Sequence, residues 1–227
     1  MHVVLVHGSG GSAESWSSVV PLLEDAGIPV TVSDTPSQSL HDDVATVTRL
    51  IDGIDGPVLL VGHSYGGSVI TGAGTHPRVR GLVYIAAWVP DEGENVRELV
   101  ERYPQAEVGA WFTRGEDGSW IPDDSPAARE ALAWDVPIEV WERRIHDRRP
   151  SADAIFTERS GPAAWRTRPA WYLIALDDKH IHLEGQQHMA ARAGARTRTV
   201  ATSHAVPYAA PRDVVDIIEA ARSSLTG

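Results

Sequence analysis

Apolar residues fall into two kinds of run along this chain, and the two alternate. Val3-Val4-Leu5-Val6, Pro29-Val30-Thr31-Val32, Val58-Leu59-Leu60-Val61, Gly81-Leu82-Val83-Tyr84-Ile85-Ala86 and Ala170-Trp171-Tyr172-Leu173-Ile174-Ala175 are short, nearly continuous blocks. Thr197-Arg198-Thr199-Val200 is a weaker one of the same kind. Blocks of this length predict strands, and continuous apolarity predicts strands buried on both faces. Between them the apolar spacing lengthens. Trp16, Val19, Val20, Leu22 and Leu23 fit one side of a helix ending at Gly27. Leu40, Val44, Val47, Leu50 and Ile51 fit a second, with Ser39 as its N-cap and Gly53 as its stop. Further helices are expected after Ser64, around 184–193, and from Pro211 through Ile218. Strands alternating with helices predict an α/β fold, a mostly parallel sheet flanked by helices.

The alternation breaks between Pro90 and about Pro169. That stretch carries prolines, charges and five tryptophans (Trp111, Trp120, Trp134, Trp141, Trp165), but no strong strand. It reads as a helical cap, 90–168, inserted after the fourth strand into a core made of 1–89 and 169–227. Such an insert lies above the carboxyl ends of the strands, where α/β sheets place their sites.

Composition narrows the class of function. With 227 residues, 42% of them hydrophobic and 22% charged, the chain has the make-up of an ordinary soluble globule. No apolar run is long enough to span a bilayer. Residues 1–8 lack a basic region and a cleavage site, so they read as a first strand rather than a signal peptide, and the cytoplasm is the default location. Zero cysteines exclude disulfides, thiolate metal sites and a cysteine nucleophile. A formal charge of −11 argues against nucleic acid and anionic membranes as partners.

Candidate chemistry centres on Gly62-His63-Ser64-Tyr65-Gly66-Gly67, between the third strand and a helix. A serine flanked by glycines at i−2 and i+2 in that setting is a nucleophile elbow. The turn pushes the serine toward positive φ, and the glycines remove the crowding that follows. A serine hydroxyl needs a base, and the base needs an orienting group. Of ten histidines, His204 sits beyond the last strand and before the last helix, at the carboxyl edge of the sheet. His7 suits an anion-binding turn, and the His63 side chain is expected to point away from Ser64. His180, His182 and His188 cluster locally but lack partners at a recognised metal-ligand spacing. Asp177 and Asp178, after the preceding strand, both qualify as the orienting carboxylate. The order Ser, Asp, His is that of the α/β-hydrolases.

The chain resembles the α/β-hydrolase superfamily, in the small esterase branch related to plant salicylate and methyl-ester esterases and hydroxynitrile lyases. The matching residues are the Val-Leu-Val-His7-Gly8 loop ending in Trp16, the Gly62–Gly67 elbow, and Leu82–Ala87 with Val89-Pro90-Asp91-Glu92-Gly93. Asp178-x-x-Ile181 with Glu184 and Gln186-Gln187, then Ser203-His204 and Pro211, complete the set. The resemblance implies Asp178 as the acid, because in these relatives it stands three residues before an apolar residue opening the next helix. It also implies an oxyanion hole from the backbone N–H groups of Tyr65 and Ser9, with Gly10 as the rival second donor. The lyases carry a lysine after the catalytic histidine and a threonine after the first-strand histidine. Here Ala205 and Gly8 stand there, which favours water as second reactant. The expectation is a serine carboxylesterase acting on a small ester through an acyl-enzyme, without cofactor or metal. The alternative is a lyase or C–C hydrolase using the same residues. Cap tryptophans are expected to be mostly structural, some lining an apolar pocket.

Overall fold

In the computed structural model, which describes residues 1–104 and 111–226, the six expected strands form one parallel sheet. Residues 105–110 of the expected cap and residue 227 of the expected core lie outside the described residues. In chain order the elements are β1 (His2–Val6), α1 (Val20–Asp25), β2 (Val30–Ser33), α2 (Leu40–Asp52), β3 (Val58–Ser64), α3 (Gly66–Ala73) and β4 (Val79–Ala87). The insert follows with α4 (Val96–Arg102), β5 (Phe112–Arg114), β6 (Trp120–Pro122), α5 (Pro126–Leu132), α6 (Ile138–His146) and α7 (Ala154–Thr157). The chain closes with β7 (Ala170–Ala175), α8 (Leu183–Arg192), β8 (Arg196–Val200), α9 (Val206–Ala209) and α10 (Pro211–Thr226). The sheet order is β2-β1-β3-β4-β7-β8.

Successive side chains of a strand leave on opposite faces, and here both faces are covered. Val4, Val6, Leu60, Leu82, Tyr84 and Tyr172 pack with Val47 and Ile51 of α2, Ile70 of α3 and Met189 of α8. Val3, Leu5, Leu59, Val61, Val83, Ile85 and Leu173 pack with Leu23 of α1 and Val214, Ile217 and Ile218 of α10. That two-sided burial is why the strands read as unbroken apolar blocks rather than alternating ones. Each fully buried aliphatic side chain contributes about 1.5–3 kcal/mol.

Helix α2 starts and stops where its sequence says. The Ser39 hydroxyl accepts from the Asp42 N–H, and Gly53 closes the other end. The helix expected over Trp16–Leu23 is instead divided into a 3-10 turn (Ala13–Trp16) and α1. Pro21 has no N–H to give back to the preceding turn, so one continuous helix cannot form.

The insert, expected as a helical segment with no strong strand, also holds a short hairpin. Three residues of β5 pair antiparallel with three of β6, Phe112 opposite Pro122 and Arg114 opposite Trp120. Gly118 makes the turn at φ 78°. Strands this short carry no readable period-two pattern; the Asp117-Gly118 turn was the available signal. The flanks of the insert join the core: Val96, Leu99, Ile155 and Trp165 share a cluster with Val69 and Tyr84, and Trp165 Nε1 donates to Pro90 O at 2.9 Å. Its middle packs Ala133, Val136 and Trp141 on Ala205 and Tyr208, the residues just beyond His204. No helix among the described residues is long and apolar enough to cross a membrane.

Candidate active site

Ser64 ends β3 at φ 53°, a left-handed conformation that costs a non-glycine residue energy. The glycines around it are sterically required. A Cβ on Gly62 would lie 2.5 Å from Gly66 O, and one on Gly66 would collide with Val6 O and stand 2.7 Å from His7 O. A Cβ on Gly8 would lie 2.9 Å from Ser64 Cβ, so the first-strand turn presses directly on the serine. Ser64 is 4% exposed and lines a cavity. Among the described residues its hydroxyl makes no hydrogen bond; it shares that cavity with His204.

His204 lies in the loop between β8 and α9, and its Nδ1 stands 2.8 Å from Asp178 Oδ2. A carboxylate accepts, so the proton sits on Nδ1 and Nε2 is left bare. Asp178 is held from every side. Oδ1 accepts from the N–H groups of His180 (2.6 Å) and Ile181 (2.9 Å), and Oδ2 also accepts from Gln186 Nε2 at 3.2 Å. Gln186, fully buried, bonds Ala175 N–H, Ala175 O and Ile181 O as well. Asp177 is exposed, its N–H given to Thr202 O. Of the two carboxylates, Asp178 is the one brought to His204. Burial pushes the His204 pKa down, and the Arg144 guanidinium acts in the same direction. Burial pushes the Asp178 carboxyl up.

Two neighbouring histidines lie where the sequence did not put them. His63 does not turn away from the site: it lines the Ser64 cavity, donates Nε2–H to His204 O at 2.9 Å, and its ring lies 4.8 Å from that of His204. The His180 ring stacks on that of His204 at 4.3 Å and 18°. Which way these rings face depends on contacts across 24 and 141 positions of sequence, which no local pattern carries. The His180, His182 and His188 group is dispersed. His182 accepts from Glu184 N–H at the start of α8, and His188 meets Tyr103. Among the described residues no group of three or more His, Asp and Glu could hold a metal.

The loop after His7 is fixed by the insert. The N–H groups of Ser9, Gly10 and Tyr65 find no acceptor among the described residues. Arg149 N–H donates to Gly10 O at 2.8 Å, while its side chain donates to Gly11 O (Nε, 3.0 Å) and Asp34 Oδ1 (2.7 Å). Gly10, at φ 67°, sits so close that a Cβ there would stand 2.8 Å from Arg149 O. Fully buried His7 donates Nδ1–H to Gly8 O. A second tie reaches the histidine loop: Asp135 accepts from Ser203 N–H (2.8 Å) and Ser203 Oγ (2.6 Å). Sequence reasoning missed both Arg149 and Asp135, since each acts far from its own position in the chain.

Two spaces meet at the site. The cleft over Ser64 is walled by Ser9, Gly10, His63, Arg144, His204 and Tyr208, among others. A largely apolar chamber adjoins it, formed by Trp88, Val96, Val100, Trp120 and Phe156, with Arg97, paired to Asp153 at 2.8 Å, also on its wall. Phe112 and His180 line both. Among the described residues, Trp120 is the insert tryptophan that lines the chamber; Trp141 and Trp165 are buried in packing, Trp111 is half-buried, and Trp134 is 44% exposed.

The chain is similar to known proteins over most of its length. The profile described as "Alpha/beta hydrolase family" matches residues 3–217. The chain is 25% identical over 207 residues to Methylesterase 8 of Arabidopsis thaliana, covering 83% of this chain and 76% of that one. It is 34% identical over 129 residues to a carbendazim hydrolyzing esterase of a Nocardioides species, covering 49% and 52%. In structure it is similar to a pyrethroid hydrolase from Sphingobium faniae, with a TM-score of 0.85 at 22% identity over 96% of each chain; that likeness concerns the fold.

Proposed function

Because the chain belongs to the alpha/beta hydrolase family and is an ester-cleaving hydrolase, we propose that it acts through a Ser64–His204–Asp178 triad and an acyl-enzyme. The observation that carries this reading is the 2.8 Å bond between His204 Nδ1 and Asp178, on a ring that faces the cavity holding positive-φ Ser64. His204 Nε2 takes the Ser64 proton as Oγ attacks the acyl carbonyl carbon. The tetrahedral oxyanion is met by the N–H of Tyr65 and that of Ser9 or Gly10, each donor stabilising it by roughly 3–4 kcal/mol. The alcohol leaves with the proton from His204. Water, deprotonated by His204, then attacks the acyl carbon and frees Ser64. Asp178 holds the tautomer and faces the imidazolium formed in each step.

Residues 1–89 and 169–227 form the catalytic core in this reading, and 90–168 form the cap that shapes the substrate space. The apolar chamber supports a small ester with a hydrophobic, aryl-sized group. The charge of −11 supports a small-molecule substrate over nucleic acid or an anionic membrane as partner. Gly8 and Ala205 support water over lyase chemistry. Ser64→Ala is expected to abolish turnover of a 4-nitrophenyl ester while leaving the fold intact by circular dichroism. Near wild-type rates in that variant would remove the triad, and mass spectrometry of a quenched reaction would show the acyl group on Ser64.

A further inference from the structure

His180 is left without a task by the triad. Its N–H serves Asp178, but its ring is placed for something else. It stacks flat on His204 and meets Phe112 edge-on at 5.8 Å, where the Ser64 cleft opens into the apolar chamber. Its Nδ1 is buried with no partner. Its Nε2 is not enclosed and takes no partner among the described residues.

Burial, and then the neighbouring His204, hold the His180 pKa well below the ordinary imidazole range, so the ring is uncharged and carries one proton. On Nδ1 that proton would be a buried donor with nothing to bond, which proteins avoid more strictly than a bare acceptor. It therefore sits on Nε2 and faces the cavity. The other polar groups on the chamber wall, Arg97 and Trp120 Nε1, both donate to Asp153, whereas the His180 N–H has no partner among the described residues and so discriminates. An apolar group pressed against it strips its hydration and gives nothing back; an acceptor atom at the same place satisfies it. A carboxylate gains little there, because the cation on the chamber wall, Arg97, is already paired with Asp153 at 2.8 Å.

We propose that His180 is a specificity-determining residue, donating Nε2–H to an uncharged oxygen on the group held in the chamber. The preferred substrates are then neutral esters whose aryl-bearing part carries an ether, carbonyl or hydroxyl oxygen near the scissile bond. This rests on the ester-hydrolase reading.

The test uses two pairs of esters that differ by an oxygen for a methylene. One pair varies the acyl side, 4-nitrophenyl phenoxyacetate against 4-nitrophenyl 3-phenylpropanoate. The other varies the alcohol side, 2-phenoxyethyl acetate against 3-phenylpropyl acetate. Comparing wild type with His180→Phe cancels the intrinsic reactivity of each ester, and phenylalanine keeps a flat face on His204. In one pair, the oxygen-to-methylene ratio of kcat/KM should fall about tenfold in His180→Phe. His180→Gln, which keeps an N–H donor, should retain part of the preference. Unchanged ratios in both pairs, or equal losses on both members, would overturn the proposal and leave His180 as a prop for His204. Failure of the underlying reading is separately visible, as turnover that survives Ser64→Ala.

Discussion

Gly66 determines whether Ser64 can be presented at all. A methyl group there meets the carbonyls of Val6 and His7, backbone atoms of β1 that cannot swing aside. Gly66→Ala should destabilise the protein by about 3 kcal/mol or more, read as a shift of the denaturation midpoint. Such demands are local, and so Ser64 and its glycines were legible in the sequence. His204 was legible from its place between the last strand and helix, and Asp178 only with the help of resemblance. His63 and His180 were not, because ring orientation is set by what packs from elsewhere. The charge state of His204 belongs to the same scale. Its depressed pKa keeps the proposed base neutral further into acid, so the acid limb of kcat/KM should lie below the ordinary imidazole value of about 6.5. A limb centred above pH 7 would contradict that role.

At the scale of elements, the strands and α2 followed from apolar runs and caps, and the hairpin of the insert did not. Two strands of three residues are held by tertiary contacts more than by their own pattern. One such contact is the bridge from Trp120 to Ser151, next to Arg149 and Pro150. Arg149 in turn grips the loop that carries Ser9 and Gly10. Arg149→Met removes the side-chain bonds to Gly11 O and Asp34 but keeps the backbone bond to Gly10 O. The loop should loosen without leaving, so kcat should drop tenfold to about a hundredfold with KM little changed, short of the full loss of a donor. Steady-state kinetics on a 4-nitrophenyl ester would show it; a rise in KM at constant kcat would place Arg149 in substrate binding instead.

Across the whole molecule, burial has left an imbalance of protons. His7, His63, His180 and His204 all have pKa values depressed first by burial. Asp43, bonded by the Tyr65 hydroxyl at 2.8 Å, and Asp178 are pushed up to about 6 by the same cause. Below about pH 6.5 the unfolded chain takes up protons on four imidazoles that the native state refuses, which costs stability. The two carboxyls act oppositely from pH 6 downward, since the native state binds their protons first. These four, with part-buried His2 depressed in the same direction, outweigh the two carboxyls, so the melting temperature should fall between pH 7 and pH 5. A melting temperature that rose over that range would show the carboxyls dominating. The largest part of the molecule that sequence left dim is the insert, whose function lies in what it touches. Arg149 holds the loop of the proposed anion donors, and Asp135 holds Ser203 beside the proposed base. The segment proposed to frame the substrate space thus also braces the proposed reacting groups. An insert borrowed from a relative would alter the pace of the reaction along with its choice of substrate, and selection on diet in this protein is selection on speed as well.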